Sequence, residues 1–156
     1  MSTRSNIAII LKEEDKARVF AELNERLEKA GNNRFRYGVD NGNVLQIYCH
    51  HDGYLSGVGV ELNKYFNNYD DALMMILAGD CSYIEGGVAC HYTSRGEDWA
   101  SNRPEQRMHA RRNEDYLYVF KDGEWKMPTG DDEMIDIEYI DAEGYCSIKD
   151  YLEFRY

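Results

Sequence analysis

The side chains with the richest chemistry lie in one stretch, Tyr48-Cys49-His50-His51-Asp52-Gly53-Tyr54-Leu55-Ser56-Gly57-Val58-Gly59. Imidazole beside carboxylate is the material of general acid–base catalysis and of proton-dependent binding. Spacing limits what the groups can do together. Successive side chains on a strand point to opposite faces, so His50 and His51 diverge if a strand runs through them. Asp52 can orient a histidine, accept from a ligand hydroxyl, or close an Asx-turn before Gly53. Gly53, Gly57 and Gly59 permit close backbone approach, and unspent N–H groups ahead of a helix can hold an anion. The glycine spacing is neither G-x-G-x-x-G nor a P-loop. A strand-to-helix turn with polar caps is the competing reading. Cys49 shares a strand face with His51, which raises a thiol nucleophile against the inert packing that buried cysteine commonly serves.

A second polar cluster runs from His91 through Arg95 and Glu97. An arginine in such a loop takes a phosphate or carboxylate bidentately, or pairs with a neighbouring acid as scaffold. Arg103, Arg107 and Arg111 stand at i, i+4 and i+8, and with Arg112 they would make a basic helix face, solvated or anion-reading. Metal chemistry has little to stand on. His50, His51, Asp52, His91 and His109 lack zinc-type spacing, and adjacent histidines chelate one ion poorly. The four cysteines form no CxxC pair. Neither a metal nor an organic cofactor is called for.

The chain has 156 residues, 43% of them hydrophobic, which suits one domain with a real core. Its net charge is −11. Residues 1–50 are nearly balanced, with eight basic and seven acidic groups, so the excess lies in the last two thirds. That sign disfavours direct nucleic-acid binding and favours solubility and basic partners. No 18-residue apolar run suggests a membrane span, and no apolar signal core follows Met1, so the expectation is a cytoplasmic protein with reduced thiols. Thirteen tyrosines supply apolar faces with polar tips, suited to cores and stacking surfaces alike.

The elements that must position these groups can be read from periodicity. Residues 7–11 form a β-branched strand, with Arg4, Ser5 and Asn6 at its mouth. Residues 13–29 form a helix burying Val19, Phe20, Leu23 and Leu27. Residues 34–39 and 44–49 suggest a hairpin turned by Asn41-Gly42. Residues 70–78 form a nearly all-apolar, central helix closed by Gly79. A loop or strand is expected at 81–84 and a strand at 88–92, and 116–127 is a hairpin with Asp122-Gly123 at its turn. Asp131, Asp132, Glu133, Asp136 and Glu138 alternate with apolar residues, a strand with a solvated acidic face. A last short helix is expected from Ile148 to Leu152. The fold class is α+β: a single domain, 1–156, with an antiparallel sheet and helices packed on one side. Arg4, Ser5, Asn6, His50, His51, Asp52, Gly53, Tyr54, Gly57, Arg95 and Glu97 are the candidate ligand-binding residues, because each sits at an element end among polar neighbours.

Separated blocks of the chain resemble a family of small phage and prophage proteins. The blocks are Ser2-Thr3-Arg4-Ser5-Asn6-Ile7-Ala8-Ile9, then Tyr48-Cys49-His50-His51-Asp52-Gly53-Tyr54 with Gly57-Val58-Gly59. Tyr65, Leu77 to Ser82 and Tyr92 to Glu97 add to the likeness. His51 stands where the family has tryptophan, and 13–49 looks like an elaboration. The resemblance implies a phage accessory, counter-defence protein acting in the host cytoplasm. Three expectations follow. One is a binding protein that sequesters a small anionic, nucleotide-like ligand, without catalysis. Another is an acidic inhibitor that docks on a host defence protein through the 131–138 acids. The third is a hydrolase or nuclease built on His50, His51, Asp52 and His91. A homo-oligomer is compatible with each.

Overall fold

A computed structural model of the chain describes residues 2–128 and 145–149. Strand β1 (Ser5–Ile10) is central, its β-branched residues buried on both faces. A 3-10 turn leads into helix α1 (Lys16–Lys29), whose Val19, Phe20, Leu23 and Leu27 enter the core. Strand β2 (Val44–Cys49) follows, then a π-type turn (Leu55–Gly59), α2 (Val60–Tyr65) and α3 (Tyr69–Leu77). The chain continues through β3 (Cys81–Glu85), β4 (Val88–His91), α4 (Trp99–Asn102) and β5 (Glu105–Arg107). The hairpin β6 (Tyr116–Lys121) and β7 (Glu124–Pro128) comes next, and β8 (Tyr145–Ser147) closes the described chain.

The α+β class holds, and the sheet is mixed rather than antiparallel throughout. Its order is β4-β3-β2-β1-β6-β7-β8, with β5 on the free stretch of β2. β1 runs parallel to β6, and β2 parallel to β3, while the other pairings are antiparallel. The parallel pairs arise because helical segments, α2 and α3 between β2 and β3, carry the chain back across the sheet.

Alternation along β1 sorts the two faces. Ile7 and Ile9 join the large core under the helices, whereas Ala8 joins Val44, Ala110, Leu117 and Val119 on the outer face. Helix α3 packs on β1 and β2, as its nearly all-apolar composition requires, and Asn68 caps it by accepting from Asp71 N–H. The aromatic tips are paired. Tyr118 donates to Gly53 O, Trp125 to Phe66 O, Trp99 to Leu77 O and Tyr37 to Pro104 O. Much of the tyrosine and tryptophan content is thus core with one polar tether each.

Two expected elements do not form. Residues 34–39 are no strand. Asn24 of α1 donates to Tyr37 O and accepts from Tyr37 N–H, and Tyr37 stacks on Phe20, so this segment pairs with the helix instead of the sheet. The arginine segment 103–112 is no helix either. It runs as β5 and then a loop over the outer face, because Gln46 both donates to Arg111 O and accepts from Arg111 N–H. Asn6 Oδ1 accepts from the N–H groups of Asn113 and Glu114 and holds the next stretch. The acidic strand expected at 131–143, with Asp131, Asp132, Glu133, Asp136 and Glu138, lies outside the described residues, as does most of 148–152.

Candidate functional site

The histidine stretch takes its shape from the end of β2. The strand stops at Cys49, so the alternation that would have separated His50 from His51 ends there. Their rings meet edge to face with centroids 4.5 Å apart. Each is then tied to a different neighbour: His50 Nδ1 shares a hydrogen bond with the Tyr48 hydroxyl, and His51 Nδ1 one with Ser2 Oγ at 2.8 Å. Asp52 adopts a left-handed φ of 55° and accepts from the exposed Tyr54 hydroxyl. That bond raises the Tyr54 pKa.

Three of the loop's N–H groups are spent on carbonyls. Gly53 N–H donates to Thr3 O, Gly57 N–H to Tyr54 O and Val58 N–H to Asp52 O. The glycines answer to close packing. A Cβ on Gly57 would stand 2.2 Å from Asp52 O, and one on Gly53 would stand 2.8 Å from the Arg4 carbonyl carbon. Both are distances no side chain tolerates.

The single polar pocket expected from Arg4, Ser5, Asn6, His50, Asp52, Tyr54 and Arg95 is divided by the sheet. Ser5 lies on the helix side, fully buried across from Cys49. Cys49 donates to His51 O, and burial pushes its thiol up to about 12, so it is a packed thiol at neutral pH. Arg4 is exposed, its main chain bonded to Asp115 and Tyr116. Arg95 and Glu97 are exposed around the 3-10 turn Tyr92–Arg95, and they make no hydrogen bond to the 50–54 loop among the described residues. His91 Nδ1 lies 2.9 Å from Gly79 O and 3.3 Å from Cys81 Sγ. Burial lowers its pKa, which favours the neutral ring.

Asn6, by contrast, opens onto the outer face, where a cavity of about 230 Å³ lies over β1 and β2. Three elements meet there. Asn6 and Tyr48 are cross-strand partners, and Tyr48 N–H donates to Asp80 Oδ1 at 3.0 Å, so Asn6, Tyr48 and Asp80 form a row across the sheet. Asp80 owes its position to Gly79, which ends α3, and its own N–H donates to Asn102 O. Burial raises its carboxyl to about 6, and Glu105 nearby adds to the rise. Arg103, on the rim, donates to Ala100 O and stacks on Phe35 at 4.2 Å. Glu105 and Glu114 supply the remaining charge.

What this cavity leaves unspent decides its chemistry. Asn6 is 5% exposed, and its Oδ1 is doubly occupied, while its Nδ2 donates to nothing among the described residues. Asp80 Oδ2 likewise accepts from none of them. Gln46 has both amide ends bonded to Arg111. One donor and one acceptor therefore remain unspent on side chains that line it.

No family model, curated protein or solved structure matches this chain. The site therefore stands on its own geometry. Among the described residues no three His, Cys, Asp or Glu side chains gather where a metal ion could be held, and no helix is long and apolar enough to cross a membrane. Sequence reasoning missed Asp80, Arg103 and Glu105 as site residues. The signal available was a charged residue directly after a helix-ending glycine, in a segment otherwise apolar.

Proposed function

We propose that the protein is a binding protein for a small nucleotide-like ligand, and that the outer-face cavity takes the ligand's neutral, hydrogen-bonding part. The observation that carries this reading is the pair of unspent polar atoms, Asn6 Nδ2 and Asp80 Oδ2, on buried or half-buried side chains lining one cavity. Polar atoms with unspent bonding capacity on the walls of a concave space are where a ligand is oriented. At about 230 Å³ the cavity falls below the ~300–1,000 Å³ of drug-sized sites and suits one ring or sugar. Glu105 and Glu114 disfavour an anion inside it, so a phosphate would stay outside.

A hydrolase on His50, His51 and Asp52 has less support, since Asp52 bonds Tyr54 and neither histidine, and the two histidines are tied to different neighbours. The biological setting, a phage accessory protein countering a host defence in the host cytoplasm, rests on the resemblance of the Thr3–Ile9 and Tyr48–Gly59 blocks. An inhibitor that docks through its acids on a host protein would share that setting.

Thermal denaturation with a panel of nucleosides and nucleotides tests the binding reading. A ligand at about 100 times its Kd stabilises by about 2.7 kcal/mol, which raises Tm at roughly 2–4 °C per kcal/mol for a chain of this size. The ligand should be recovered unaltered. Absence of any shift across the panel, or turnover of the ligand, contradicts the proposal.

A further inference from the structure

Resting on the reading of the outer-face cavity as the seat of a nucleotide-like ligand's ring, we infer that the ligand's phosphate is held just beyond the Tyr48 end of that cavity, by the Arg4 guanidinium and the His50 ring. The phosphate-bearing form is then the preferred ligand, and the free nucleoside a poor substitute. Tyr48 joins the two parts. It lines the cavity, and its hydroxyl bonds His50 Nδ1, with the two ring centroids 5.8 Å apart. Arg4 acts on the same residue from the β1 side. Burial raises the Tyr48 pKa, and the Arg4 guanidinium counters that rise more strongly than Glu114 adds to it. At the Tyr48 hydroxyl the positive neighbour therefore outweighs the negative one, in contrast to the acid-rich walls inside.

The strand register explains why these groups meet. Ser5 pairs with Cys49 and Asn6 with Tyr48, so the next step of the antiparallel ladder sets Arg4 across from His50. The Arg4 main chain is pinned on both sides. Its N–H donates to Asp115 Oδ2 at 3.2 Å, and its carbonyl accepts from Tyr116 N–H at 3.3 Å. Its side chain is exposed, and the guanidinium makes no hydrogen bond or ion pair among the described residues. His50 is half-buried, and its Nε2 likewise bonds none of them. Where Tyr48 O–H donates to Nδ1, the ring proton sits on Nε2, which is then a donor. A guanidinium with an imidazole N–H beside it binds phosphate oxygens through charge-assisted bonds. Glu114 and Asp115 stand close by, so the rim suits a single phosphate rather than a polyphosphate chain.

Calorimetric titration of the full chain with adenosine, cytidine and their 5′-monophosphates is the experiment. In the native protein a monophosphate should bind about tenfold more tightly than its nucleoside, as a charge-assisted bond allows. In Arg4→Gln that ratio should fall to about one. In His50→Phe, which keeps the ring's bulk and removes its nitrogens, the ratio should fall severalfold. Equal affinities for nucleoside and monophosphate in the native protein, or a ratio unchanged in either variant, overturn the phosphate subsite and leave the cavity reading standing. No binding of any of the four compounds overturns both.

Discussion

Asp80 joins the end of α3 to the outer-face cavity, and its energetics are open to measurement. Its carboxyl is raised to about 6 by burial, against an ordinary value near 3.9. The folded protein therefore holds a proton that the unfolded chain releases between about pH 4 and 6. Stability falls as pH rises through that window, because the unfolded state then binds fewer protons than the folded one. Asp80→Asn removes the ionisation, so it should stabilise the protein at pH 8 and lose that advantage near pH 4. The gain is on the order of 1–2 kcal/mol once screening of a partly exposed carboxyl is allowed for. Denaturant titrations of both proteins at the two pH values measure it, and a gain that is independent of pH would show that Asp80 is not desolvated as described. Asn6 was legible in the sequence as a polar residue at a strand mouth. Asp80 was not, because its carboxyl gains its meaning from Tyr48 and Glu105, which are distant in the chain.

At the scale of elements, periodicity carried the reading wherever one face is buried. The Val19, Phe20, Leu23, Leu27 stripe of α1, the apolar α3 and the Asp122-Gly123 hairpin all appear as their patterns require. It failed where a side chain replaces a backbone partner. Asn24 bonds Tyr37 as a strand would, and Gln46 with Asn6 holds the 111–114 loop, so 34–39 and 103–112 depart from their local patterns. The Asp52–Gly59 loop is likewise set by contacts the sequence only hints at. Gly57→Ala should cost about 1–3 kcal/mol, since its Cβ meets the Asp52 carbonyl at 2.2 Å and backbone must move. Ser56→Ala, on an exposed neighbour, should stay within about 0.5 kcal/mol. Equal midpoints for the two variants in urea denaturation would contradict the tight turn.

For the whole molecule, the sheet acts as a partition. Helices cover one face, and their core takes Ser5 and Cys49 out of reach. The outer face keeps Asn6, Tyr48 and Asp80 beside a cavity walled by the 103–114 segment. Asp80, Glu105 and Glu114 outnumber Arg103 on its walls, so a neutral ring is a better guest than a phosphate. Binding through two oriented polar atoms makes one spectroscopic demand. In the nitrogen–proton spectrum of the labelled protein, the Asn6 side-chain amide should shift when adenosine is added. The Asn24 amide, on the helix side and bonded to Tyr37 O, should stay in place. A saturable shift of Asn6 without Asn24 is the predicted result. An Asn6 amide unmoved at saturating adenosine would contradict the assignment of this cavity as the binding site.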